Sequence, residues 1–195
     1  MNKSNVLMSC KEETMMKRFT GLLLALALVL MTVGVALAAD VTLTTKYFTL
    51  TLPSGWEIQT DDLDSEEGLE SLGYAGSPET PGLVIGAFLQ YDEESAGTSL
   101  WNASDKELED YAKLLMEDFQ DEKPEYLGTV KAGNIPFVLI RAADEESEYL
   151  YADTLSNGYY IMIEAYVTDE DKFYPLTDAY IEQFKSILAT FVPVT

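Results

Sequence analysis

The chain has 195 residues, no histidine, one cysteine, and 34 acidic against 12 basic side chains, a formal charge of −22. The missing histidine, with the lone Cys10 lying upstream of the expected domain, excludes Ser-His-Asp and Cys-His nucleophiles, histidine zinc sites and thiol redox chemistry. So acidic a surface repels nucleic acid and anionic lipid, and neither is an expected partner.

Lys17 and Arg18 precede an apolar run, Gly21 to Leu37, that ends in Ala36-Leu37-Ala38. A basic start, an apolar middle and small residues two apart predict a secretory signal peptide over 15–38, cleaved after Ala38 or Ala39. The alternative is a retained N-terminal membrane anchor, since the run approaches the roughly 17-residue lower limit of a span. Residues 1–14 read as a mis-called start, with translation beginning at Met15 or Met16. Removing residues 1–39 takes four of the 12 basic and two of the 34 acidic residues, leaving 8 and 32, a formal −24. The mature chain, 40–195, is expected as a single secreted or extracytoplasmic domain without a disulfide. About 150 residues suffice for a core, burying about 70% of the unfolded surface.

Phe48, Leu50 and Leu52 alternate with Thr49 and Thr51 up to Pro53-Ser54-Gly55, which predicts a half-buried strand and a tight turn before Trp56. Asp61 to Gly68 reads as a solvated loop. Gly82 to Tyr91 is apolar on both parities, as in a strand covered on both faces. Ser104 and Glu107 have capping-box spacing. Behind them Leu108, Tyr111, Ala112, Leu115 and Phe119 share one helical face, with Lys113 on the wet side between Glu109 and Glu117. The helix is expected to end before Pro124.

Strands are expected at Glu125–Val130 and Pro136–Ala142. Glu148–Ser156 and Tyr159–Val167 flank Asn157-Gly158, the strongest short hairpin signal. A last helix follows Pro175, capped by Thr177, with Ile181, Phe184, Ile187, Leu188 and Phe191 as its apolar stripe. The links are of hairpin length and no βαβ rhythm appears, so the fold class is α+β, an antiparallel sheet with helices packed on it.

A two-residue Asn157-Gly158 turn pairs Ser156 with Tyr159 and fixes the register outward. One hairpin face then carries Leu150, Ala152, Thr154, Ile161, Ile163, Ala165 and Val167, a core face. The other carries Tyr149, Tyr151, Asp153, Leu155, Tyr160, Met162, Glu164 and Tyr166. Of these, Tyr149, Tyr151, Asp153, Tyr160, Met162, Glu164 and Tyr166 are the candidate ligand-binding residues. Tyrosines give rigid amphipathic contact area, and carboxylates orient a ligand. The same pattern also suits a face covered by a helix or loop, and both readings stay open.

No phosphate-binding glycine loop or Gly-x-Ser-x-Gly elbow occurs. No cofactor, metal or catalytic residue is assigned. Asp62, Asp64 and Glu66 alternate like calcium ligands, but Gly68 falls one place late and Gly73 stands where the closing Glu belongs. Two-carboxylate glycosidase chemistry remains the enzymatic alternative, with Asp153 and Glu164 the nearest pair.

Phe48 to Trp56 (FTLTLPSGW), the hairpin YLYADTLSNGYYIMIEAYV and the closing YIEQFKSILATF resemble the PsbP-like superfamily. That fold is shared by the photosystem II extrinsic protein, the Ran-binding nuclear import factor and exported bacterial DcrB-like proteins. The resemblance covers most of Tyr47 to Val192. It implies a three-layer α/β/α sandwich, Trp56 as a core plug, and a non-enzymatic binding or assembly role. The expected partner is an extracellular peptide, a glycan or a protein of the cell envelope, met by a monomer; a secreted carboxylate-dependent hydrolase is the alternative.

Overall fold

The computed structural model describes residues 39–61, 63, 68–143, 147–169 and 172–194. The expected start segment 1–14 and leader 15–38 lie outside these, as do 62 and 64–67 of the acidic loop. Among the described residues no helix is long and apolar enough to cross a membrane.

Alternation of apolar side chains with threonine makes β1 (Val41–Thr44) and β2 (Phe48–Leu52) a pair in which Leu43, Leu50 and Leu52 are buried. The two-residue β11 (Val192–Pro193) joins β2 on its other edge. This small three-stranded sheet is separate from the main one, so the opening strand does not belong to a single continuous sheet. Gly55, at φ +85°, closes the turn after Pro53. Trp56 then enters the core at 5% exposure, a plug as the resemblance implies.

The large sheet is antiparallel throughout. Its order is β3 (Glu57–Gln59), β4 (Leu69–Gly76), β5 (Gly82–Tyr91), β9 (Tyr159–Asp169), β8 (Glu148–Ser156), β7 (Ile135–Ala143), β6 (Glu125–Ala132). A short β10 (Lys172–Tyr174) pairs with β9 beyond the end of β8. The register slips at bulges between Ser71 and Gly73 in β4 and between Tyr126 and Gly128 in β6.

The turn between β8 and β9 is the two-residue one that Asn157-Gly158 predicts. Asn157 and Gly158 sit at φ +53° and +82°, and Ser156 pairs with Tyr159. Positive φ at both central residues matches the right-handed twist of the strands it joins. The segment 92–100 clasps this turn: Asn157 N–H donates to Thr98 O at 2.7 Å, and Asp92 N–H to Gly158 O at 2.9 Å.

Two helices brace the large sheet on opposite faces. Helix α1 (Asp105–Asp118) opens with the expected capping box: Glu107 N–H meets Ser104 Oγ, and Ser104 N–H meets Glu107 Oε2 at 2.7 Å. Such a cap is worth about 1 kcal/mol. Lys113 pairs with Asp110 at 2.7 Å rather than with Glu109 or Glu117, the shorter i−3 reach being the one taken. Leu108 and Ala112 pack with Val138, Ile140 and Leu155.

Helix α2 (Asp178–Leu188) lies on the other face, where Ile181, Phe184, Ile187, Leu188 and Phe191 are all buried. Thr177 holds its N-cap position without a side-chain hydrogen bond, so the expected cap is one of place only. The rings of Phe48 and Phe137 each stand 4.9 Å from Phe191, joining the small sheet to the large one. The layers are α1, the large sheet, then α2 with the small sheet: an α+β arrangement.

Candidate functional site: a cavity between α1 and the sheet

The β8–β9 hairpin separates its side chains by parity. Leu150, Ala152, Thr154, Ile161, Ile163, Ala165 and Val167 are buried against the α2 layer, as the alternation predicts. The opposite face is shared between cover and opening. Its Leu155 end lies under Leu108 and Ala112 of α1. Farther along, the helix lifts away, and its apolar stripe continues as Leu115 and Phe119 without reaching full burial.

A cavity of about 370 Å³ occupies the space that results. Its floor is Tyr151, Asp153, Tyr160 and Met162 of the hairpin, with Gln90 from β5 and Leu69 from β4. Leu115, Asp118 and Phe119 form the helical wall, and Asp92 stands at the hairpin-turn end. The size falls within the range of small-ligand pockets, about 300–1,000 Å³. Phe119 stacks on Tyr151 at 4.4 Å between ring centroids.

Two side chains anchor polar ends of the site. Tyr111 of α1 donates its hydroxyl to Asp153 Oδ1 at 2.5 Å. Burial nevertheless raises the Asp153 carboxyl to about 7, the phenol only partly offsetting it; burial and the Asp153 charge push the Tyr111 hydroxyl up in turn. At the mouth, Ser95 Oγ donates to Asp92 Oδ2 at 2.6 Å, and Glu94 N–H to Asp92 Oδ1 at 3.0 Å. Those bonds hold Asp92 below its usual range, the Ser95 hydroxyl contributing most. Ser95 Oγ also lies 2.7 Å from the Tyr160 hydroxyl, so Asp92, Ser95 and Tyr160 form one chain into the cavity.

The seven candidates divide accordingly. Tyr151, Asp153, Tyr160 and Met162 line the cavity. Tyr149 and Tyr166 stand 5.7 Å apart and belong to an aromatic group closed by Phe173 of β10, 5.7 and 5.5 Å from them. Glu164, opposite Tyr151 in the register, is half-buried and outside the lining; burial first, then the Glu122 charge, raises it to about 7.

Leu69, Gln90, Asp92, Leu115, Asp118 and Phe119 are lining residues that the hairpin pattern alone does not find. Leu115 and Phe119 were visible in the helical stripe, read there as core. Gln90 and Asp92 arrive through the β5–β9 pairing, which no local signal encodes. Among the described residues no group of three or more acidic or cysteine side chains is placed to hold a metal ion.

No family model matches the sequence, and no curated protein matches it. Among solved structures the chain is similar to the solution structure of cyanobacterial PsbP (CyanoP) from Synechocystis sp. PCC 6803. The identity is 14%, over 83% of this chain and 96% of that one, with a TM-score of 0.47. It is also similar to a crystal structure from Bacteroides thetaiotaomicron VPI-5482, at 14% identity over 76% of this chain and 45% of that one, with a TM-score of 0.38.

Proposed function

We propose that this chain is a non-enzymatic binding module of the cell envelope or extracellular space, and that its ligand sits in the cavity between α1 and the β8–β9 face. The observation that carries this is the cavity itself: about 370 Å³ lined by apolar and aromatic side chains with Gln90 and three aspartates among them, left open where an otherwise core-forming helical stripe is only half-buried. Wall of this kind supplies contact area, while a few convergent polar groups set orientation. Export is supported by Lys17-Arg18 and the apolar run behind them. The hydrolase alternative lacks comparable support: Asp153 is engaged by the Tyr111 hydroxyl, and Glu164 lies outside the lining.

The test uses three aromatic probes of one shape and different charge: 2-phenylethanol, phenylacetate and phenethylammonium. At least one is expected to give saturable NMR shifts centred on Leu115, Tyr151 and Met162. Filling the cavity with Leu115→Trp, or from the sheet side with Met162→Phe, should abolish those shifts while the melting transition persists. No shift at these residues with any probe, or undiminished binding to a folded filled variant, overturns the proposal.

A further inference from the structure

Granting that the cavity is a binding site, which is the reading just given, we infer that its ligand is a small organic cation, an ammonium group carried on an apolar body. Among the described residues the lining contains three carboxylic side chains, Asp92, Asp118 and Asp153, and neither lysine nor arginine. Asp92 is fixed in orientation by two donated hydrogen bonds, from the Ser95 hydroxyl and the Glu94 N–H. It caps the short turn 93–95 and so holds a fixed direction at the mouth.

The same wall suits other ligand classes less well. An anion meets carboxylates with no basic partner, which costs affinity at any distance inside the Debye length. A bare metal ion needs converging oxygen ligands, and among the described residues no three acidic side chains are placed to hold one. A neutral polyol would draw on Gln90, but the Tyr160 hydroxyl is already bonded to Ser95 and one Asp153 oxygen to Tyr111. An organic ammonium suits both the apolar and the acidic parts of the wall. Its hydrocarbon displaces water from Leu115 and Met162, its charge lies near the Phe119–Tyr151 ring pair, and its N–H groups reach Asp92 and Asp118. The chain's excess of acidic residues speeds the encounter by long-range attraction.

The experiment is an affinity series in the intact chain. Phenethylammonium is expected to bind at least about tenfold more tightly than isosteric 2-phenylethanol, with phenylacetate weakest, and the gap should narrow in high salt. Asp92→Asn with Asp118→Asn should remove most of that preference, bringing the phenethylammonium affinity down to about that of 2-phenylethanol in the same variant. Asp178→Asn with Glu182→Gln, on α2 across the sheet, alters net charge equally and should leave the preference intact. If 2-phenylethanol or phenylacetate binds in the cavity as tightly as phenethylammonium, the cation assignment fails and the binding-module reading stands. If the α2 pair erases the preference as fully as the cavity pair, the assignment also fails. Tighter binding of N-acetyl-lysine methylamide would shift the ligand to lysine-bearing peptides and overturn the small-molecule reading. If no probe seats in the cavity, both readings fall together.

Discussion

Asp153 is a buried carboxyl that accepts a hydrogen bond from a phenol of the opposite layer. Removing that phenol leaves the carboxyl buried without its donor, a loss of about 1–3 kcal/mol for an unsatisfied polar group. Tyr111→Phe is therefore expected to lower stability to urea by that amount at pH 8. Its cost should be smaller at pH 5, where Asp153 is protonated and needs less from a donor. Equal costs at the two pH values would show that Tyr111 acts through packing alone. Sequence parity placed Asp153 on the right face, beside Met162 and Tyr151. It could not show Tyr111 above it, because Tyr111 lies on the helical stripe and reads simply as core.

At the scale of elements, the hairpin was legible because its turn chemistry and its alternation agree. Asn157-Gly158 sets the register, and the register sorts every side chain of β8 and β9 by face. Gly158 serves a second purpose that the sequence does not display. A Cβ there would lie 2.8 Å from Asp92 O, in the segment that clasps the turn. Gly158→Ala combines that clash with φ +82°, and is expected to cost more than about 1 kcal/mol in chemical denaturation. An unchanged midpoint would mean that the clasp is not rigid.

β4 was illegible for the opposite reason. Leu69–Gly76 contains two glycines and a bulge that breaks the alternation. β1, β10 and β11 are short pieces that exist only because a longer strand offers them an edge. The cavity escaped sequence reading on the same ground, since it forms where β5 meets β9 and α1 lifts off, and both are tertiary facts.

For the whole molecule, the two raised carboxyls reverse the customary acid response. Asp153 and Glu164 have folded values of about 7, against unfolded values of roughly 3.9 and 4.3. Between those limits the native state binds more protons than the unfolded chain, so stability falls as pH rises. Their contribution is fully present below about pH 4 and lost above about pH 7. The melting temperature is expected to be higher at pH 5 than at pH 8 by on the order of 5 °C. The double variant Asp153→Asn, Glu164→Gln should flatten most of that slope; a slope that survives it would belong to repulsion among surface acids. The large sheet has one more property that follows from its borders. One outer strand, β3, is three residues long, and the other, β6, is bent by the bulge beside Gly128. Neither presents the long flat row of free amides that recruits foreign strands. Self-stacking of the large sheet into fibrils is thereby disfavoured at both of its margins.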